Sequence, residues 1–199
     1  MKNIVVLYPK LFACYSKFSR KLSRILQDID EGIITFPDDH SGFIQQYFDK
    51  GSYSLDQKEG WNDASVTHGI IFDDGEEFPL EAAFFEQQGL PLRVVPIKIT
   101  RVINIKKELQ FQGVRSAPGY EYIGRGSYWG NPYSMYEDGE DREEIIRKFK
   151  YDFERDLFPN KSKQEVYKLA GKRLGCFCKP DACHGDVLAD YLNSWDDGG

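Results

Sequence analysis

At 199 residues the chain can bury a substantial core without disulfide or metal staples. Apolar residues at 41% and aromatic residues at 15%, among them 12 Tyr and 14 Phe, exclude a disordered polymer. The net charge is −6, with 10 Lys and Arg against 15 Asp and Glu up to Lys98 and 16 against 17 beyond it, which argues against a broad basic face for duplex DNA.

The opening MKNIVVLYPKLFACYSKFSRKL lacks the long apolar region and small-residue cleavage site of a secretory signal, and no run is long enough to span a bilayer. Cys14 stands alone while Cys176, Cys178 and Cys183 cluster, unlike a spaced disulfide framework. A reducing cytoplasm is expected, with no membrane partner.

In chain order, Ile4 to Leu7 reads as a buried strand, and Ser16 to Ile29 places Phe18, Leu22, Ile25, Leu26 and Ile29 at helical spacing. After Gly32 the run IITF ends in the turn Pro37-Asp38-Asp39. Residues Phe43 to Phe48 suit a short helix, and the polar segment 49–59 reads as a surface loop. Between Thr67 and Thr100, HGIIFDD reads as a strand, FPLEAAFFEQQG as a helix and LRVVPIKIT as a second strand. Pro79 in the first turn and Gly89 past the last apolar position agree with that helix. Strand, helix, strand implies a parallel crossover. The expected fold is therefore α/β, a Rossmann-like, mostly parallel sheet flanked by helices, with central strands near Ile4–Leu7, Gly69–Phe72, Arg93–Ile97 and Arg173–Cys178.

Beyond Arg101 come VINI, the Gly-punctuated GRGSYWGNPYS, an acidic polar loop, and a helix from Arg142 to Leu157 with Ile145, Ile146, Phe149, Phe153 and Leu157 on one side. SKQEVYKLAG then reads as a helix, KRLGCFC as a strand, and a last helix starts near Cys183. The halves are 1–98 and 99–199, and without a linker they could share one sheet.

Two segments carry candidate chemistry. GKRLGCFCKPDACHGDVLADYL runs from a strand through a short loop to a helix start, the position where open α/β sheets bind ligands. Free amides and the helix dipole there favour an anion or a thiolate, which makes Cys183 a candidate nucleophile beside His184. Cys176, on the strand, is expected to be buried. The alternative is a small buried hydrophobe with a capping imidazole. Cys176, Cys178, Cys183 and His184 are also zinc-type ligands, but the usual knuckle spacing is missing, so no metal and no cofactor is assigned. In YIGRGSYWGNP, glycines allow close backbone approach, and Arg125, Gly126, Ser127 and Asn131 are candidate ligand contacts.

RVINIKK, YIGRGSYWGNPYS, REEIIRKFKYDF and GKRLGCFCKPDACHGDVLADYL together resemble the bacterial and phage family known as domain of unknown function 4326, over about Ile99 to Leu192. Arg125, Asn131, Cys176, Cys178, Cys183, His184 and Gly185 fall on its motif positions. THGIIFDDGEEFPLEAAFFEQQGLPLRVV is similar to nucleoside deoxyribosyltransferases and related nucleotide-binding Rossmann-like proteins. That resemblance implies a sugar-attacking role for Glu81, whereas the residues alone read it as a solvent-facing helical carboxylate. A phage origin would place the protein in the host cytoplasm.

The expectation is a cleft for a small nucleotide- or nucleoside-type ligand bearing ribose or phosphate, in one version a phage protein sequestering a nucleotide signal. The site residues would be Arg125, Gly126, Ser127, Asn131, Cys178, His184 and Gly185. The competing classes are an N-glycosidic hydrolase or ribosyltransferase using Glu81 or Cys183, and a zinc-stabilised interaction module.

Overall fold

The computed structural model describes residues 1–49, 51–134, 139 and 141–198. The chain divides into two compact units, Met1–Ile97 joined by the residues from Ser194 on, and Lys98–Asn193.

The first unit contains β1 (Asn3–Leu7), α1 (Tyr15–Ile25), β2 (Gly32–Phe36), α2 (Phe43–Phe48), β3 (Tyr53–Gln57), β4 (His68–Asp73), α3 (Pro79–Gln87) and β5 (Leu92–Pro96). Its strands form one sheet in the order β3-β2-β1-β4-β5, every pair parallel. A strand with parallel neighbours on both edges and helices on both faces meets no water, which is why β1 reads as the unbroken run NIVVL, all five residues buried. Phe18 and Leu22 of α1 are buried, and Phe18 stacks on Phe72 of β4 at 4.9 Å.

Three expectations change here. The strand at Arg93–Ile97 is not central: β5 is an edge strand with Arg93 and Val94 exposed. The segment read as a loop contains β3, a polar edge strand whose YSLDQ sequence carries no apolar alternation because no residue of it is fully buried. Helix α1 ends at Ile25, with the Leu26 amide closing the last turn on Leu22.

The second unit contains β6 (Arg101–Asn104), a 3-10 turn at Leu109–Phe111, β7 (Ser116–Ala117), β8 (Tyr120–Tyr122), α4 (Arg142–Glu154), a 3-10 helix at Lys163–Leu169, β9 (Arg173–Cys176) and α5 (His184–Asn193). These strands make a separate mixed sheet in the order β6-β9-β8-β7, so the halves do not share one sheet. Only the β7–β8 hairpin is antiparallel. Its core gathers Ile123, Trp129, Phe149, Phe153, Leu174 and Leu188. The segment SKQEVYKLAG is 3-10 rather than α: its buried residues Val166 and Leu169 are three apart, the repeat of the tighter helix. The acidic loop expected after Tyr133 lies largely outside the described residues.

Buried Asn193 at the end of α5 accepts from the Thr100 amide at 2.8 Å and donates to the Thr100 carbonyl at 3.0 Å. This clamp ties the start of the second unit to its last residue. Past it, Asp197 pairs with Lys17 at 2.7 Å and Asp196 with Arg20 at 2.6 Å, both on α1.

Candidate functional site

Strand β9 delivers Cys176 into the core of the second unit. The chain turns through Phe177 to Ala182 and enters α5 immediately after Cys183. The helix start is capped locally: the Cys183 amide donates to Asp186 Oδ2 at 2.9 Å, and Asp186 Oδ1 meets Lys179 Nζ at 2.5 Å. Asp186 satisfies an amide that the helix leaves without a partner and adds a negative charge at the positive end of the dipole.

The sulfurs of Cys176, Cys178 and Cys183 lie within 4.8 Å of one another, and Cys176 and Cys183 are 3.5 Å apart. The surroundings favour thiolate on Cys176 over Cys183, opposite to expectation. The contact with the Cys183 sulfur and the amides of Lys179 and Cys178 pointing at Cys176 lower its pKa to about 6 against the opposing effect of burial. Cys183 is pushed upward by its contact with the Cys176 sulfur and by burial. Cys178 is raised by burial and by the charge on Cys176, with the Arg142 guanidinium opposing. At Cys183 the neighbouring thiol and burial both oppose the charge that the helix terminus would favour.

The His184 ring is buried, packs edge-on against Phe149 at 4.9 Å, and lies 2.9 Å from the Ile123 carbonyl through Nε2. Burial depresses its pKa to about 4. A carbonyl only accepts, so Nε2 carries the proton of a neutral ring. The imidazole thus faces the β8 end and is not part of the thiol cluster.

The Gly-rich loop turns on two amide contacts, Ser127 to the Gly124 carbonyl and Gly130 to the Ser127 carbonyl, each 3.1 Å. Gly126 between them has φ +77°, a left-handed conformation that a side chain would strain. Both ends of the Asn131 amide are engaged: Oδ1 accepts from the Tyr133 amide at 3.0 Å and Nδ2 donates to the Ile145 carbonyl of α4 at 3.3 Å. Asn131 therefore fastens the loop to α4.

These elements enclose a pocket of about 210 Å³. Arg125, Asn131, Cys178, Cys183 and His184 all line it, so the two motifs do meet, together with Cys176 and the apolar side chains of Ile145, Ile146 and Phe177. Sequence reading missed Arg142, which also lines it; its guanidinium reaches the Ala182 carbonyl at 3.3 Å and Asp181 at 3.2 Å. Its place at the start of a predicted helix was legible, its contact with the cysteine loop was not. Among the described residues no carboxylate pairs with Arg125, which is exposed at the pocket.

Four expected site residues fall elsewhere. Gly126 and Ser127 do not line the pocket, and Ser127 Oγ is buried without a hydrogen-bond partner among the described residues. Gly185 is buried under Ile123 and serves packing: a Cβ there would stand 2.4 Å from Ile123 Cδ1. Glu81 sits half-buried in the first turn of α3, in the first unit, and is not part of this pocket.

The architecture is thus that of a two-part α/β protein, an all-parallel sheet unit followed by a mixed-sheet unit that holds a thiol-lined pocket. The chain belongs to the family described as Minimal SLOG domain, matched over residues 1–103, and residues 103–194 match the family described as Domain of unknown function (DUF4326). It is similar to the "Uncharacterized 12.4 kDa protein in nrdA-td intergenic region" of Enterobacteria phage T4, 43% identical over 72 residues. That match covers 36% of this chain and 65% of the phage protein. No solved structure matches it. Among the described residues no helix is long and apolar enough to cross a membrane.

Proposed function

We propose that the chain binds a small nucleoside- or nucleotide-type ligand, with the pocket of the second unit as its site. The observation that carries this reading is Arg125, a guanidinium with no carboxylate partner among the described residues, set beside a mostly apolar pocket. A planar fork of donors suits a phosphate, and the Ile145, Ile146 and Phe177 walls suit a flat base. The first unit supports the ligand class through its SLOG-type, nucleotide-related fold. A volume of about 210 Å³ lies below the range of roughly 300–1,000 Å³ usual for drug-sized ligands, so the ligand is of mononucleotide size and partly exposed. The relative in a phage is consistent with sequestration of a nucleotide signal as the use of such binding.

Calorimetric titration of the full chain with the four ribonucleoside 5′-monophosphates tests this. At least one should bind at micromolar to low millimolar concentration. Arg125→Ala should weaken it roughly tenfold or more, since a charged hydrogen-bond pair contributes about 1.5–3 kcal/mol. Glu81→Gln should leave it unchanged. Absence of binding by all four, or equal binding by Arg125→Ala, rejects the reading.

A further inference from the structure

We propose that Cys176, Cys178 and Cys183 together hold a thiophilic cation of the zinc class, with the fourth coordination position open toward the pocket. This site does not rest on the nucleotide reading.

Geometry comes first. A tetrahedral zinc with Zn–S bonds of about 2.3 Å sets its sulfurs about 3.8 Å apart. Here all three sulfurs lie within 4.8 Å of one another, one pair already at 3.5 Å. Two of the ligands are fixed by the fold, Cys176 at the end of β9 and Cys183 at the start of α5, both buried. Cys178, half-buried in the intervening turn, is the one free to close the remaining fraction of an ångström to an ångström.

The surroundings match a thiolate cluster rather than three idle thiols. Amides of Cys178 and Lys179 point at the Cys176 sulfur and the Gly185 amide at the Cys183 sulfur, the kind of outer hydrogen bonding that orients metal ligands. Three thiolates and one divalent ion leave a net charge of −1. Arg142, hydrogen-bonded to the Cys178 sulfur, and Lys179, held by Asp186 beside the cluster, are placed to offset it. His184, the fourth ligand type noted in the sequence, donates from Nε2 to the Ile123 carbonyl and lies outside the cluster. All three cysteines line the pocket, so the vacant position of a three-sulfur ion faces it, the arrangement of zinc sites that bind an exchangeable water or ligand.

The test is a Co²⁺ titration of the reduced, chelator-stripped full chain under anaerobic conditions. The expected result is one equivalent bound, with sulfur-to-cobalt charge-transfer absorption in the near ultraviolet and tetrahedral visible bands, both abolished by one equivalent of Zn²⁺. Zinc-edge absorption spectroscopy should then give three sulfur neighbours and one lighter atom. Cys178→Ser, half-buried and so the variant least able to disturb the fold, should weaken Zn²⁺ roughly tenfold or more with an unchanged circular dichroism spectrum. Cys14→Ser, in the other unit, should bind as the parent. Cobalt bound without charge-transfer bands, fewer than three sulfurs at the zinc edge, or full affinity in Cys178→Ser overturns the site.

Discussion

Placing a single methyl group at Gly185 separates a packing role from a ligand-binding one. An added Cβ would lie 2.4 Å from Ile123 Cδ1, 3.1 Å from Val102 Cγ1 and 3.2 Å from Cys183 Sγ. Ile123 is completely buried, so its terminal methyl has little room to retreat. Overpacking of this kind costs about 1–3 kcal/mol. Alanine recovers up to about 1 kcal/mol of that through helix propensity and a less flexible unfolded chain. Gly185→Ala should therefore destabilise the second unit by about 1–2 kcal/mol. Native-state amide exchange on β9 and α5 is the suitable assay, because it reads the opening of one unit without requiring the whole chain to unfold in one step. Ile123→Val removes Cδ1, the atom in closest conflict. Alone it should cost about 0.5–1.5 kcal/mol, but in the Gly185→Ala background it should cost less or restore protection. Strict additivity of the two substitutions, or full stability in Gly185→Ala, would refute the packing account.

Two further outcomes follow from the same site. His184 has a folded pKa of about 4 against about 6.5 unfolded, so between those values the unfolded state binds more protons; stability rises with pH there and is lost as pH falls from about 6.5 toward about 4. The loss is up to about 3 kcal/mol for this buried ring, and its NMR resonances in a chelator-containing buffer should stay in the neutral form at pH 5.5; a midpoint near 6.5 would show that burial does not control it. Asp186→Ala removes both the acceptor for the Cys183 amide and the partner of Lys179, and should cost about 0.5–2 kcal/mol in α5 amide protection, while Asp186→Asn, which keeps an acceptor, should cost less.

Legibility in the sequence tracked burial. The segment from Thr67 to Thr100 could be read because β4 is an apolar run and α3 is bounded by Pro79 and Gly89, signals fixed by local chemistry. The edge strand β3 could not, since YSLDQ has one face in water and little apolar surface to alternate. The short β7 and β8 were equally hidden, being set by pairing with each other and, for β8, with β9, rather than by their own composition. At the site, a strand–loop–helix joint and a Gly-rich loop were enough to gather Arg125, Asn131, Cys178, Cys183 and His184 around one pocket. The charge state of the cysteines was not, because it depends on a 3.5 Å sulfur contact and on which amides the turn aims at Cys176. Nor was Arg142, whose role requires α4 to lie against the cysteine loop.

The Asn193–Thr100 clamp has a consequence for how the chain can be cut and joined. Because the side chain that closes residues 98–193 at one end bonds the backbone at the other, the two points where the polypeptide enters and leaves this region are neighbours. The residues beyond them return to α1, which makes the region a cassette seated inside the linear order of its host. Such a cassette can in principle be excised and its flanks rejoined by a short turn, or grafted into a surface loop of another protein, without stretching either partner. Asn193→Ala should be tolerated least by a freestanding version, where no flanking segment remains to hold the seam shut.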